Sequence, residues 1–457
     1  MALTFRVRLV VFVLLLMAAV SEAQVLDRPA RPFRGLFGGA EVPNPNRTRQ
    51  ELTLFADILG GYDNNLSPEG ASVIQRSLVP TSGYTGLGDV SLRYWRGSVA
   101  RHVEVEGRGF VTAYDLSGIE PLIGSSLHIN GQTQFDRRTR FEANGYLTRD
   151  PFLGVGGFDG MPDSAGAASF ANPANGLTSG LSRSGTVIAA LTRDWTRRVH
   201  STASYDYSQR DYLRGPGYDG HSQTAQVNFE QNLTQALSWR TTYRYYTAEL
   251  IEPSGQRPIK NDSIDGGFSY SHNVSRTRRI SVGATAGATR VRTTSSVTRL
   301  PLEYWTPAGT GSMRIDLYRS WALDADYRRG LSVIDGLTTE SFISDAVLIR
   351  AGGHVTSRID LMFATGYSNG RTGDALTEGT YRTYTGTAQL RAGVARWAAA
   401  IINYNYFNYD LTGIVVTGAA STVPSSFDRQ AIRFGLQLWL PLIGGYVERP
   451  TDRTGDF

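Results

Sequence analysis

From about residue 50 to residue 440 the chain alternates apolar and polar residues one by one. In 237–247 one set reads Leu237, Trp239, Thr241, Tyr243, Tyr245 and the other Ser238, Arg240, Thr242, Arg244. Val103, Val105 and Val111 interleave with Glu104, Glu106 and Arg108, and Ala225, Val227 and Phe229 with Gln226, Asn228 and Glu230. Met313, Ile315 and Leu317 oppose Arg314 and Asp316; Leu323, Ala325 and Tyr327 oppose Asp324, Asp326 and Arg328. Successive side chains of a strand point to opposite faces, so each run predicts a strand with one apolar and one polar face. The runs last about ten to fourteen residues, whereas strands of globular proteins mostly last about five or six. A tilted strand crossing a bilayer needs about nine to eleven. After the first residues no stretch keeps a 3.6-residue period, which excludes a helical domain.

The connections alternate in length. Short polar turns fall at Gly97–Arg101, Asp136–Arg140, Thr196–Arg198, Asn232–Ala236, Ser275–Arg279, Arg319–Ser320, Gly352–Ser357 and Val394–Arg396. Between them lie segments rich in Gly, Pro, Ser, Asp and Asn: Asp63–Gly83, Pro151–Arg183, Ile251–Asn261 and Thr412–Ser426. One strand on each side of every connection gives about eighteen strands, with both barrel ends on the short-turn side. The expected fold is all-β: a transmembrane antiparallel β-barrel with short periplasmic turns and long extracellular loops. Tryptophan placement gives the same topology. Trp95, Trp195, Trp239, Trp321, Trp397 and Trp439 cluster near short turns and Trp305 is expected in a long loop; Tyr62, Tyr84, Tyr114, Tyr212, Tyr367, Tyr381 and Tyr409 fall near the opposite strand ends. Such belts are expected at the two membrane interfaces.

The first residues add a compartment. Arg6 and Arg8 precede an apolar run, Leu9–Val20, and then Ser21-Glu22-Ala23. That is the layout of a secretory signal peptide, residues 1–23. An irregular periplasmic segment, 24–49, then precedes a barrel spanning 50–440, with 441–457 as a C-terminal tail. There is no cysteine, so neither disulfides nor Cys-ligated metal or haem are open to the chain. The net charge is +5. Its cations are almost all arginine, Lys260 being the single lysine, and nearly as many acids accompany them. Small matched clusters on an exported chain argue against nucleic acid as a partner. The six histidines, His102, His128, His200, His221, His272 and His354, are scattered singly. No HExxH, P-loop or CxxCH occurs, so the expectation is a protein without a cofactor and without enzymatic activity.

The last predicted strand, Arg433-Phe434-Gly435-Leu436-Gln437-Leu438-Trp439-Leu440, resembles the signal that bacterial outer-membrane β-barrel proteins present to their assembly machinery. The resemblance implies that Gly435, Leu438 and Leu440 carry that signal, that the chain resides in the outer membrane of a Gram-negative cell, and that its partners are outer-membrane lipids and the barrel-assembly machinery. In such a barrel the polar set becomes the lumen wall: Arg93, Glu104, Glu106, Arg108, Arg240, Arg244, Arg314, Asp316, Asp324, Asp326 and Arg328, since a lipid-facing charge near the midplane costs about 2–4 kcal/mol. Asp89, Asp206, Glu230, Asp265, Asp360, Arg391 and Arg433 are expected to join them. The longest connection, Pro151–Arg183, is the third outer loop. Its position and its Gly/Phe/Asp content resemble the constriction loop of classical porins, which implies that Phe158, Asp159 and Asp163 narrow the lumen. The Arg clusters Arg137/Arg138/Arg140 and Arg276/Arg278/Arg279 are expected to meet headgroups or a periplasmic partner.

Three functions follow. The first is a porin-like channel for passive diffusion of small hydrophilic solutes. The second rests on Tyr/Arg-rich hairpins such as Ser238–Tyr246, which are similar to those of the decahaem-associated barrels; that likeness implies a sheath around a multihaem cytochrome in an electron conduit. The third is a rim enzyme or an adhesive or assembly barrel.

Overall fold

The computed structural model describes residues 48–64, 82–98, 100–115, 121–154, 176–214, 219–252, 255–275, 278–294, 300–317, 321–333, 341–372, 379–395, 397–412 and 426–447. They form eighteen antiparallel strands, each paired with its neighbours in chain order, and β1 (Thr48–Asp63) pairs with β18 (Ser426–Val447) to close the ring. Closure leaves no unpaired edge, the condition for putting a sheet into lipid. The strands run from 12 to 22 residues.

The remaining strands are β2 (Gly83–Gly97), β3 (Arg101–Tyr114), β4 (Leu122–Gln134), β5 (Thr139–Gly154), β6 (Gly176–Asp194), β7 (Val199–Arg214), β8 (Asp219–Asn232), β9 (Leu237–Glu252), β10 (Gly255–Ser275), β11 (Arg278–Thr294), β12 (Pro301–Asp316), β13 (Ala322–Val333), β14 (Ser341–His354), β15 (Ile359–Thr372), β16 (Thr380–Ala395) and β17 (Ala398–Thr412). Short turns fall where the polar clusters placed them. Four share one device: Asp136, Thr196, Thr234 and Thr356 each accept hydrogen bonds from the backbone N–H groups two and three residues on. The N–H groups of Arg138 and Thr139 hold the exposed Asp136 carboxyl below the usual carboxylate range. The residue before each of the four, Phe135, Trp195, Leu233 or Val355, is apolar and exposed, so the turns carry their own interface anchors. In the β2–β3 turn, Gly97 adopts φ 143°, a conformation that favours glycine.

Some boundaries differ from expectation. Ile251–Asn261 is not a long loop: β9 and β10 continue to Glu252 and Gly255, because Ile259 and Asn261 keep the inward parity. The third outer connection is shorter than Pro151–Arg183, since β5 extends to Gly154 and β6 starts at Gly176. The last strand passes Leu440 to Val447, taking in part of the expected tail. A β-bulge opposite Leu52/Thr53 leaves Leu442 without a partner, next to Pro441, which cannot donate to the ladder. Trp305 lies in β12, outward and exposed, rather than in a loop.

Outward residues form an apolar band. Ile58, Val90, Val111, Leu147, Leu191, Val227, Phe268, Val282, Ile349, Phe363, Ile402 and Leu436 are exposed. On the long-loop side the band ends at outward ion pairs and phenols: Tyr243 donates to Asp262 at 3.2 Å, Tyr327 to Asp345 at 2.7 Å, and Arg290 pairs with Glu303 at 2.8 Å. A band without charge, edged by amphipathic rings, is the surface that lipid tails require. Leu361→Arg or Leu436→Arg is therefore expected to cost about 2–4 kcal/mol each in urea unfolding of the barrel in bilayers. A loss below about 1 kcal/mol would mean that these positions lie outside the band.

At two places in the ring, inner-face glycines let neighbouring backbones approach closely. On the inner face, an added Cβ at Gly61 would lie 2.1 Å from Ile432 O, and one at Gly435 1.9 Å from Ile58 O. The same holds at β10–β11, where a Cβ at Gly267 would lie 1.9 Å from Ala284 O and one at Gly287 2.0 Å from Ile264 O. Each pair of strands is folded sharply inward, a crease only glycine permits. β1 and β10 stand nine places apart in a ring of eighteen, so the two creases lie on opposite sides of the barrel.

Candidate functional site: the lumen wall

Strand parity decides what lines the lumen. Directly opposite residues share a face, so the register carries the assignment from strand to strand. It brings Arg93, Glu104, Glu106 and Arg108 together on β2–β3, and Arg240 and Arg244 together on β9. Arg314, Asp316, Asp324, Asp326 and Arg328 come together on β12–β13. All eleven point inward, as do Asp89, Asp206, Glu230, Asp265, Asp360, Arg391 and Arg433.

Most inward arginines have an acid within reach on the next strand. Arg93 pairs with Glu104 at 2.5 Å, Arg108 with Asp89 at 2.6 Å, Arg350 with Asp326 at 2.9 Å and Arg391 with Asp360 at 2.9 Å. Arg314 reaches Asp316 at 3.2 Å and Asp324 at 3.3 Å. At the seam Arg429 grips Asp63 at 2.7–3.1 Å, with Arg433 3.9 Å from the same carboxylate. Arg240 and Arg244 instead meet neutral acceptors: Thr310 Oγ1 at 3.4 Å and Gln226 Oε1 at 2.9 Å. Charges are thus held against the wall and largely cancelled there.

Between these charged sectors runs a wall of hydroxyls. On the inner faces of β5 to β12, Thr148–Ser184, Thr186–Ser208, Thr192–Thr202, Ser238–Ser269, Ser271–Ser281 and Thr285–Thr310 each form a cross-strand hydroxyl pair at 2.5–3.0 Å. Amides extend the lining, with Asn130 donating to Asn144 at 2.5 Å and Gln389 to Asn403 at 2.9 Å. The charged residues drew attention in the sequence and this hydroxyl wall did not, although Ser182, Ser184 and Thr186 sit at alternate positions.

The aromatic belts need correction. Trp95 and Trp439 point inward, opposite Glu104 and Phe55, and so do Tyr114, Tyr212 and Tyr381. Height along the strand placed them in a belt, but odd or even position, not height, chooses the face. Trp239, Tyr62, Tyr84 and Tyr367 do face outward. Tyr381 instead lies over Gly370, buried, with Phe342 edge-on at 5.2 Å.

The chemistry-bearing residues stay apart. His102, His200 and His354 are inward at the turn ends of β3, β7 and β14, separated by intervening strands. His102 stacks with Trp95 at 5.5 Å, His128 with Tyr146 at 4.4 Å, and His200 lies 3.4 Å from Glu230. Gly366-Tyr367-Ser368-Asn369-Gly370 has the GxSxG spacing of a nucleophile elbow but lies within β15. Its Ser368 is buried with its hydroxyl 3.3 Å from that of Tyr381. An elbow needs a strand-to-helix turn and a neighbouring base. Phe158, Asp159, Asp163 and Arg276 lie outside the described residues, as do 1–47 and 448–457.

A closed eighteen-stranded ring with an apolar exterior and a polar, charge-paired interior has the architecture of a transmembrane β-barrel. No model of a known protein family matches the chain, and no curated protein does. Among solved structures it is similar to OpdQ of Pseudomonas aeruginosa, with a TM-score of 0.41 and 12% identity over 87% of this chain and 98% of that one. It is likewise similar to OpdO of the same organism, at 0.43 and 11% over 87% and 98%. Fiu, the ferric-catecholate import receptor of E. coli K12, matches at 0.41 and 8% over 85% and 81%. Likenesses this distant assign no function.

Proposed function

We propose that this protein is a passive channel of the outer membrane for small hydrophilic solutes, best suited to neutral or zwitterionic ones. The observation that carries this reading is the inner wall, where cross-strand Arg–carboxylate pairs alternate with hydroxyl and amide ladders. A solute passing such a wall exchanges hydrogen bonds with water for similar ones with Ser, Thr, Asn and Gln, so it is neither trapped nor repelled. A wall of one sign would instead concentrate counter-ions and favour one charge.

Planar-bilayer recording of the purified, folded barrel tests this. Discrete ohmic steps are expected, with a reversal potential near zero in a potassium chloride gradient, and liposomes carrying the protein should swell in small sugars. Folded barrels that give no conductance, or a reversal potential close to that of an ideally selective pore, would overturn the proposal.

A further inference from the structure

On the outer face of β5 and β6 two arginines stand directly opposite each other. Arg149 and Arg183 are cross-strand partners in the register, and both are exposed. Their parity is outward: Leu147, two residues before Arg149, is exposed to the lipid side, while Thr148 and Ser184 pair inside. Two like charges at opposed positions repel, and a sheet ordinarily sets an acid there. Neither guanidinium is held in an ion pair among the described residues. Asp211 is the cross-strand partner of Arg183 on β7, but its carboxylate accepts from Gln209 Nε2 at 3.1 and 3.4 Å. Even counting Asp211, the patch keeps a net positive charge.

Its position along the strand supplies the other half of the argument. Both arginines lie at the long-loop end, just past the apolar band. Toward the membrane centre come Leu147, Gly145 and Ala143 on β5, and Gly185, Val187 and Ala189 on β6. Gly145 leaves the surface low there, with the Leu147 side chain over Gly185, and the dip is flanked by Leu127 and Ile129 on β4 and by Tyr207 and Gln209 on β7. A charged fork above a shallow apolar trough matches a molecule with an anionic phosphate head and a hydrocarbon tail. Paired guanidiniums bind phosphate bidentately, with geometry a lone ammonium lacks.

We propose that Arg149 and Arg183 form a clamp for the phosphate of an anionic lipid in the leaflet on the long-loop side, its acyl chain lying beside Leu147 along the dip at Gly145. The proposal is independent of what the lumen conducts.

Native mass spectrometry of the full-length barrel, released from detergent with added lipid, tests it. The probes are dimyristoyl phosphatidylglycerol, dimyristoyl phosphatidylcholine and inorganic phosphate. Wild type should retain the anionic lipid over the zwitterionic one, and Arg149→Gln with Arg183→Gln should weaken anionic-lipid retention by about ten- to thirtyfold, the value of two cations at a membrane surface. Lys260→Gln, which removes an outward cation on β10, should leave retention unchanged, and all variants should keep heat-modifiable migration. Equal retention of the anionic lipid by wild type and the double variant overturns the clamp. Full displacement by millimolar inorganic phosphate also overturns it, by showing a free-phosphate site without a lipid tail. A Lys260→Gln loss as large as that of the double variant would show general surface charge in place of a site.

Discussion

Gly287→Val and Gly435→Val are each expected to abolish the assembled barrel. The added Cβ alone would lie 2.0 Å from Ile264 O in the first case and 1.9 Å from Ile58 O in the second. Those oxygens belong to paired backbone and cannot swing aside as a side chain can. Relief would mean opening the ladder at a crease and exposing unpaired amides to lipid, at several kcal/mol per group. Gly60→Ala and Gly107→Ala serve as controls, since nothing lies within 4 Å of a Cβ at either. The readout is the fraction of chain migrating as a compact, heat-modifiable band. The pair also separates two readings of Gly435, which belongs both to the proposed assembly signal with Leu438 and Leu440 and to the β18–β1 crease. Gly287 lies far from that signal. Assembly of Gly287→Val with failure of Gly435→Val would assign Gly435 to recognition alone, and normal assembly of both would remove the creases from the account.

Much of this architecture was legible because a strand prints its two faces on the chain at every second residue. Val103, Glu104, Val105 and Glu106 need no tertiary information to be sorted, once the run is known to be a strand. The same parity turned the arginines and acids of β2, β3, β9, β12 and β13 inward, since lipid tolerates no alternative. Legibility stopped where a property depends on neighbouring strands. Trp95 and Tyr381 have the right height for a membrane belt but the wrong parity, and a fixed residue type is no guide to face. The hairpin at Glu252–Gly255 was hidden by Pro258 and Gly255, which read as loop residues although their pairing partners Glu249 and Glu252 keep them in the sheet. The creases were hidden too. Fifty glycines are spread through the chain, and only the approach of a second backbone distinguishes Gly287 from Gly107. The shared turn device was in plain view, as Phe-Asp, Trp-Thr, Leu-Thr and Val-Thr at 135, 195, 233 and 355, but it acquires meaning only with its hydrogen bonds.

The seam has a second support. Asp63→Ala is expected to destabilise the barrel by about 3–5 kcal/mol, the usual loss when one partner of a buried ion pair is removed. Asp63 ends the first strand and Arg429 lies near the start of the last, so their three short contacts join residues 366 apart in sequence. The Asp63 side chain is fully buried, and that of Arg429 is only 6% exposed. Without the carboxylate, Arg429 and Arg433 would face each other with no anion between them, away from bulk water, and the cost is their desolvation more than the lost attraction. This predicts a particular pattern of coupling. Asp63→Leu combined with Arg429→Met removes a charge of each sign but leaves Arg433 without its anion, so it should restore part of the loss and the two changes will not add. The measurement is urea unfolding in lipid followed by tryptophan fluorescence, for Asp63→Ala, Asp63→Leu, Arg429→Met and the double. A single-variant loss of no more than about 1 kcal/mol would be the behaviour of a solvent-exposed pair. In that case water reaches the seam, and backbone pairing with the glycine crease is what closes the barrel.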